Sequence, residues 1–386
     1  MIRHVAAAAT AAVLLTAAWR LDDGTTAGRA TAFLAICGAA VGFVLQRSQL
    51  CFTAAFRDLF LLRGRRAALG VLAALATGTV GYAVLFGAQL PDPSRYLPDT
   101  AHIAPAGPVV LLGGLSFGVG MVLAGGCISG HLYRLGEGSL VAPVALLGCL
   151  PGYWLAFSLW NFLYVKSIAT APLVWLPARL GYAGALALQL ALLAGLAALL
   201  FWKCTAVPQP AREPLDLRGM VRRVFAEPWP AWAGGAAVGV LATFAYLWNH
   251  PLGVTAEIGR VSRRAGLALG LTPPRLEGLD RMAGCRAIAS DRWITESGVF
   301  ILALVAGSLI SALLAGEFRL RKAKPRTFAL AAGGGVLLGF GAMISLGCTV
   351  GTMLSGIMAF SLHGWVFLAG LFGGAWAGTR LLRRIA

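Results

Sequence analysis

Two stretches of this chain set a thiol among glycines at the end of an apolar run: LAGGCISG, residues 123–130, and SLGCTVG, residues 345–351. A third thiol, Cys51, follows the polar triplet Arg47, Ser48 and Gln49 in QRSQLCFTAAFRD. In hydrocarbon an unpaired backbone N–H or C=O is costly, so a break of this kind survives only against protein or a water-filled cavity. Glycine permits the turn and lets a solute approach the main chain, which singles out Gly126 and Gly130 beside Cys127, and Gly347 and Gly351 beside Cys348. Half-helices starting at such breaks would aim unpaired N–H groups and positive dipole ends inward, an arrangement that suits an anion. A neutral thiol adds a weak, polarisable donor that can hold a soft atom and still release it. No carboxylate lies in the broken segments before Asp58, which fits an anion path.

The remaining cysteines read differently. Cys37, Cys149 and Cys204 have no breaker pattern around them and read as small apolar packing residues. Cys285, in GCRAIASDR between Arg281 and Arg286, reads equally as an activated or an incidental thiol; with Arg47, Ser48 and Gln49 it is an accessory candidate. There is no CxxC and no Cys/His spacing of a zinc site, so neither metal nor cofactor is expected. An odd cysteine count, mostly in apolar segments, argues against a disulfide framework. His131, His250 and His363 read as polar groups of loops or helix ends rather than ligands.

Such residues need membrane helices to position them. The chain has 386 residues, of which 58% are hydrophobic and only 12% charged, the makeup of a polytopic inner-membrane protein in contact with lipid. At roughly 20 apolar residues per crossing, candidate spans cover 5–19, 30–45, 67–88, 108–124, 140–164, 183–202, 231–247, 299–315, 328–346 and 365–382. The first reads as an uncleaved helix, with a cleaved signal peptide as the alternative. Basic clusters at Arg57–Arg66, Lys203–Arg223, Arg319–Arg326 and Arg380–Arg384 all fall on one side when the spans alternate, which places them and the N-terminus in the cytoplasm. Topology thus accounts for the net charge of +17, and nucleic-acid binding is not needed. One outer segment, 259–292, carries Arg260, Arg263, Arg264, Arg275, Arg281, Arg286 and Arg292. It reads either as a vestibule that concentrates an anion or as an amphipathic surface helix offset by Glu277, Asp280 and Asp291.

The chain also repeats itself. GAAVG at 38–42 recurs at 235–239, and FGVGMVLAGGCISG (117–130) lies without a gap over LGFGAMISLGCTVG (338–351). Gly118, Gly120, Gly126, Cys127 and Gly130 then fall on Gly339, Gly341, Gly347, Cys348 and Gly351, while GVTA puts Gly253 where the Cys51 thiol would be. An odd number of spans separates the copies, so the second crosses in the opposite sense, as in many transporters. The expected division is an extra N-terminal span at 1–29, a first repeat at 30–166, a linking span and basic loop at 167–230, and an inverted second repeat at 231–386.

The stretches QRSQLCFTAAFRD, GGCISG and especially GCTVGTMLSGIMAFSLHGWVF make the chain similar to the YeeE/YedE (TsuA-like) family of bacterial inner-membrane thiosulfate transporters. The resemblance implies an hourglass of spanning helices with short helices dipping in from both faces. It also implies a thiosulfate path lined by three cysteines, matching Cys51, Cys127 and Cys348 here, and a cytoplasmic TusA-like sulfur-carrier protein as partner. Some relatives are associated with selenium metabolism. The N-terminal span and the arginine-rich segment with Cys285 depart from the compact family pattern. The expectation is an all-α transporter that takes up thiosulfate or a related sulfur oxyanion, not an enzyme. The rival, a membrane thiol enzyme relaying persulfide or disulfide, lacks a resolving cysteine at redox spacing. A soft-metal carrier would want Met/His clustering and no positive vestibule.

Overall fold

The apolar runs have no alternation of polar residues, and in lipid they satisfy their backbone only by coiling into helices. The computed structural model describes residues 2–98, 100–205, 217–248, 251–282, 284–285, 287 and 295–385. Among them, ten helices are long and apolar enough to cross a membrane. The fold is all-α and polytopic. His250, Arg286, Asp291 and Arg292 lie outside the described residues.

In chain order, α1 (Ile2–Leu21) precedes α2 (Thr26–Ser48), the short α3 (Phe52–Arg57) and α4 (Arg66–Gln89). Then come α5 (Pro108–Ala124), the short α6 (Ile128–Gly136), α7 (Val141–Leu163) and α8 (Pro177–Lys203). After α9 (Leu217–Phe225) follow α10 (Ala231–Trp248), α11 (Thr255–Ala268), α12 (Glu296–Ala315) and α13 (Pro325–Ile344). A π-helical run, Thr349–Ser355, continues into α14 (Gly356–Met358), and α15 (Leu362–Ile385) closes the chain.

The major packing pairs come in matched couples: α2 on α12 and α4 on α10, α7 on α13 and α5 on α15, with α2 against α10 and α5 against α13. Lipid gives helices no hydrophobic reason to associate, so close backbone approach over small residues has to do the work. The glycines repeated in the sequence sit at these seams. A Cβ on Gly42 would stand 1.9 Å from the Leu304 carbonyl of α12, and one on Gly235 would stand 1.9 Å from the Gly70 carbonyl of α4. Gly120 and Gly334 face each other across α5 and α13, each 2.7 Å from the other's carbonyl when given a Cβ. The added α1 lies outside this arrangement, against α12 and α2.

Candidate functional site

Three of the long helices stop inside the bundle and restart after a few residues. At the end of α2, Gln49 turns left-handed at φ +52°; at the end of α5, Gly125 does so at φ +76°; after α13, Leu346 does so at φ +56°. Each restart is capped by one of the three cysteines singled out in the sequence. Cys51 is the N-cap of α3, Cys127 of α6 and Cys348 of the Thr349–Ser355 run. All three are buried and free.

The caps have a specific chemistry. The Gly130 N–H donates to Cys127 Sγ at 3.4 Å, and the Val350 N–H donates to Cys348 Sγ at 3.4 Å. Sulfur accepts from the half-helix, and its S–H proton is a donor that each residue can turn to a solute; at Cys127 the Ser129 hydroxyl, 3.3 Å from Sγ, shares in that exchange as donor or acceptor. The fold brings Cys51 and Cys127 together: a Cβ on Gly130 would lie 3.4 Å from Cys127 Sγ and 3.5 Å from Cys51 Sγ. Gly130 therefore leaves a notch of bare backbone between two thiols. Gly351 holds the corresponding place three residues after Cys348.

Several polar groups join these thiols without any local sequence signal. Arg134, on the last turn of α6, donates to Cys51 Sγ from Nη2 at 3.7 Å and to the Gly125 carbonyl from Nη1 at 2.5 Å. His131 is buried, its ring nitrogens have no hydrogen-bond partner among the described residues, and Nε2 lies 3.1 Å from where a Gly126 Cβ would be. His131 is thus a buried polar group in the first turn of α6, beside the break. Around Cys348 the imidazole comes from the loop before α5: His102 Nε2 is 3.4 Å from Thr352 Oγ1, and Cε1 is 3.1 Å from the Cβ position of Gly347. His363 packs its nitrogens 3.1 Å from the Pro105 carbonyl and 3.0 Å from that of Ser345, tying α15 to the second break. The hydroxyls of Thr53, Thr255 and Thr349 are buried without partners among the described residues.

The accessory residues form a brace beside these thiols. Arg47 Nη2 meets Glu317 Oε2 at 2.6 Å, Nε donates to Gln46 Oε1 at 2.8 Å and Ser311 Oγ at 2.9 Å, and Nη1 donates to the Ala226 carbonyl at 2.7 Å. Gln49 Nε2 donates to Glu137 Oε1 at 3.2 Å, and Ser48 Oγ donates back to the Val44 carbonyl at 2.6 Å. Carboxylates absent from the broken segments in sequence thus arrive from α6–α7 and α12–α13: Glu317 pairs with Arg47, and Glu137 accepts from Gln46 and Gln49. Arg47→Ala should cost about 3 kcal/mol, the low end for a broken buried pair because Glu317 is 38% exposed. It should show as reduced membrane abundance and a lower Tm in detergent; a protein of normal stability with altered uptake would instead make Arg47 a solute ligand.

Part of the arginine-rich segment is the helix α11, and exposed Arg275 pairs with Glu277 at 3.5 Å, while Arg260 and Arg263 turn inward. Arg260 Nε pairs with Glu257 Oε2 at 2.9 Å, and buried Arg263 donates to the carbonyls of Ala287 and Pro274, both at 3.2 Å. Burial works against the Glu257 carboxylate, yet the Arg260 guanidinium and the Thr295 hydroxyl outweigh it and hold its carboxyl below the usual range. These arginines fasten α11 to its own loop and to α12. Among the cysteines outside the breaks, Cys37 and Cys149 are buried in helices, with Cys149 Sγ 3.4 Å from the Ala145 carbonyl, and Cys204 ends α8 half-exposed. Cys285, remote in sequence, donates its backbone N–H to the Leu346 carbonyl at 2.9 Å and so sits at the second break. Among the described residues no group of His, Cys, Asp and Glu could hold a metal ion.

Known proteins share this sequence over most of its length. The chain is 30% identical to the thiosulfate transporter TsuA of Escherichia coli K12, over 90% of this chain and 93% of that one. It is 28% identical to the thiosulfate transporter TsuA of Spirochaeta thermophila, over 88% and 97%. A shorter stretch, 27% of the chain, is 36% identical to the probable transporter YedE of E. coli K12, covering 23% of that protein. The family model described as sulphur transport matches residues 47–377, from the polar break before Cys51 to the middle of α15. The chain therefore belongs to the YeeE/YedE sulphur transport family, a family of transport proteins and not of enzymes.

Proposed function

We propose that this protein takes up thiosulfate across the bacterial inner membrane, passing it along a path lined by Cys51, Cys127 and Cys348. The observation that carries the reading is that three interrupted helices each restart on a cysteine N-cap, with bare glycine backbone beside two of them. The names of the two full-length relatives support the substrate. Thiosulfate is a small dianion with one soft terminal sulfur. Its oxygens suit the N–H groups at the half-helix starts and Arg134, and its sulfur suits a neutral S–H donor. Weak sites in series let the solute enter and leave, as conduction requires.

The matched helix pairs and the glycines at their seams support the division into two repeats, 30–166 and 231–386, of opposite sense. With the basic clusters inside, Cys51 and Cys127 approach from the cytoplasm and Cys348 from outside. A small cytoplasmic sulfur-carrier protein of the TusA type would receive the delivered sulfur. Growth tests the substrate. A host unable to import thiosulfate or sulfate should, with this gene, grow on thiosulfate as sole sulfur source and not on sulfate. Growth on both alike, or on neither, overturns the assignment.

A further inference from the structure

The two halves differ at one point that the fold repairs. The tetrapeptides CFTA (51–54) and GVTA (253–256) correspond, so the second half has Gly253 where the first has Cys51. The structure puts a thiol there nonetheless. Cys285 Sγ lies 2.5 Å from the position a Cβ on Gly253 would take and 2.6 Å from that of Gly351. Gly351 matches Gly130, the glycine against which Cys51 Sγ rests in the first half. The likeness extends along the chain: Thr53 and Ala54 follow Cys51 as Thr255 and Ala256 follow Gly253. Gly253 is glycine because any side chain there would collide with the sulfur that has taken its place.

Nothing in this arrangement is incidental to one loose loop. The Cys285 N–H is fixed to the Leu346 carbonyl at 2.9 Å, inside the break that precedes Cys348. Gly284, at φ +127°, fits its backbone against the Leu346 carbonyl and His102, where a Cβ would meet them at 2.9 and 3.1 Å. A second polar group is left open toward the same spot: the Thr255 hydroxyl, fully buried and without a hydrogen-bond partner among the described residues, stands beside both Cys285 and Cys348. Thr53, its counterpart beside Cys51, is buried and unpartnered in the same way. A buried hydroxyl with nothing to bond is expensive unless a solute or water completes it.

We infer that Cys285 is a fourth thiol of the path, paired with Cys348 as Cys51 is paired with Cys127, and that this second pair binds the soft sulfur of a thiosulfate-class anion. The assignment rests on the thiosulfate reading. It makes the arginine-rich segment the carrier of a substrate group, with Arg260 and Arg263 as struts.

Uptake of radiolabelled thiosulfate by cells, corrected for protein in the membrane, tests it with two variants. Cys285→Ala should lower uptake at limiting thiosulfate by about five- to tenfold, the loss of one neutral donor. The double variant Cys285→Ala/Gly253→Cys moves the thiol to the position it holds in the first half, into the space that the shortened side chain vacates. It should recover uptake to within about threefold of wild type. Wild-type kinetics in Cys285→Ala, with Cys348→Ala inactive, overturn the fourth thiol and leave the three-cysteine path standing. Loss in the single variant without recovery in the double makes Cys285 a packing residue and also overturns it. A wild-type protein that takes up no thiosulfate overturns the substrate reading, and this inference with it.

Discussion

Cys127→Ala and Cys348→Ala should each cut thiosulfate uptake by more than about tenfold while the protein still inserts, since tenfold is the loss of only about 1.4 kcal/mol of binding. Each substitution removes one sulfur atom and leaves the break intact. The turn before Cys127 is made by Gly125 at φ +76°, and the turn before Cys348 by Leu346, held through the Cys285 N–H. What the variants lose as structure is an N–H···S contact of 3.4 Å each, the Ser129 hydroxyl contact of 3.3 Å at Cys127, and some packing, about 1 to 2 kcal/mol. What they lose as function is the donor at the point where the soft end of the anion passes. Cys37→Ala and Cys149→Ala serve as controls, because those thiols contact carbonyls of helices, Leu241 at 3.9 Å and Ala145 at 3.4 Å. Initial rates of radiolabelled uptake, divided by membrane abundance, decide the matter. Serine at 127 or 348 keeps a donor but not a soft one, so it should not restore transport. Wild-type rates in both alanine variants would reduce the cysteine caps to architecture.

The sequence carried these three residues because each is part of a local pattern: apolar run, turn residue, thiol, short amphipathic segment. Spacing alone matched Cys127 to Cys348 and the seam glycines to one another, since close helix approach forbids a Cβ at the same register in both halves. What spacing could not carry was every partner that arrives across the fold. Arg134 meets Cys51 from another helix, Glu317 meets Arg47 from beyond α12, and His102 reaches Gly347 and Gly351 from a loop before α5. Spacing likewise left open what two arginines of 259–292 meet. Charge counted along a chain looks like a field, yet Arg260 and Arg263 spend it on Glu257 and on backbone carbonyls. The matched threonines Thr53 and Thr255 were visible in CFTA and GVTA, but only burial without a partner gives them meaning.

Arg134→Gln should raise the KM for thiosulfate by about 10- to 100-fold with a much smaller change in kcat, the range expected when a charge-assisted hydrogen bond of about 1.5–3 kcal/mol is lost. Arg134 is the cation that the fold delivers to the thiol pair of the first half, 3.7 Å from Cys51 Sγ, and its other terminal nitrogen is anchored on the Gly125 carbonyl at 2.5 Å. That anchor fixes the fork with its other nitrogen on Cys51 Sγ, where an oxyanion between Cys51 and Cys127 would need its countercharge. Arg134→Lys keeps the charge and loses the fork, so it should fall between wild type and Gln. Salt separates this role from steering at a distance. Exposed charges are screened within roughly 8 Å at physiological ionic strength, whereas a contact inside the bundle is not, so the Arg134→Gln defect should persist at high salt. An unchanged KM with normal membrane abundance would leave Arg134 as the strut of the Gly125 turn. A KM defect that vanishes with added salt would move its action from the thiols to the approach.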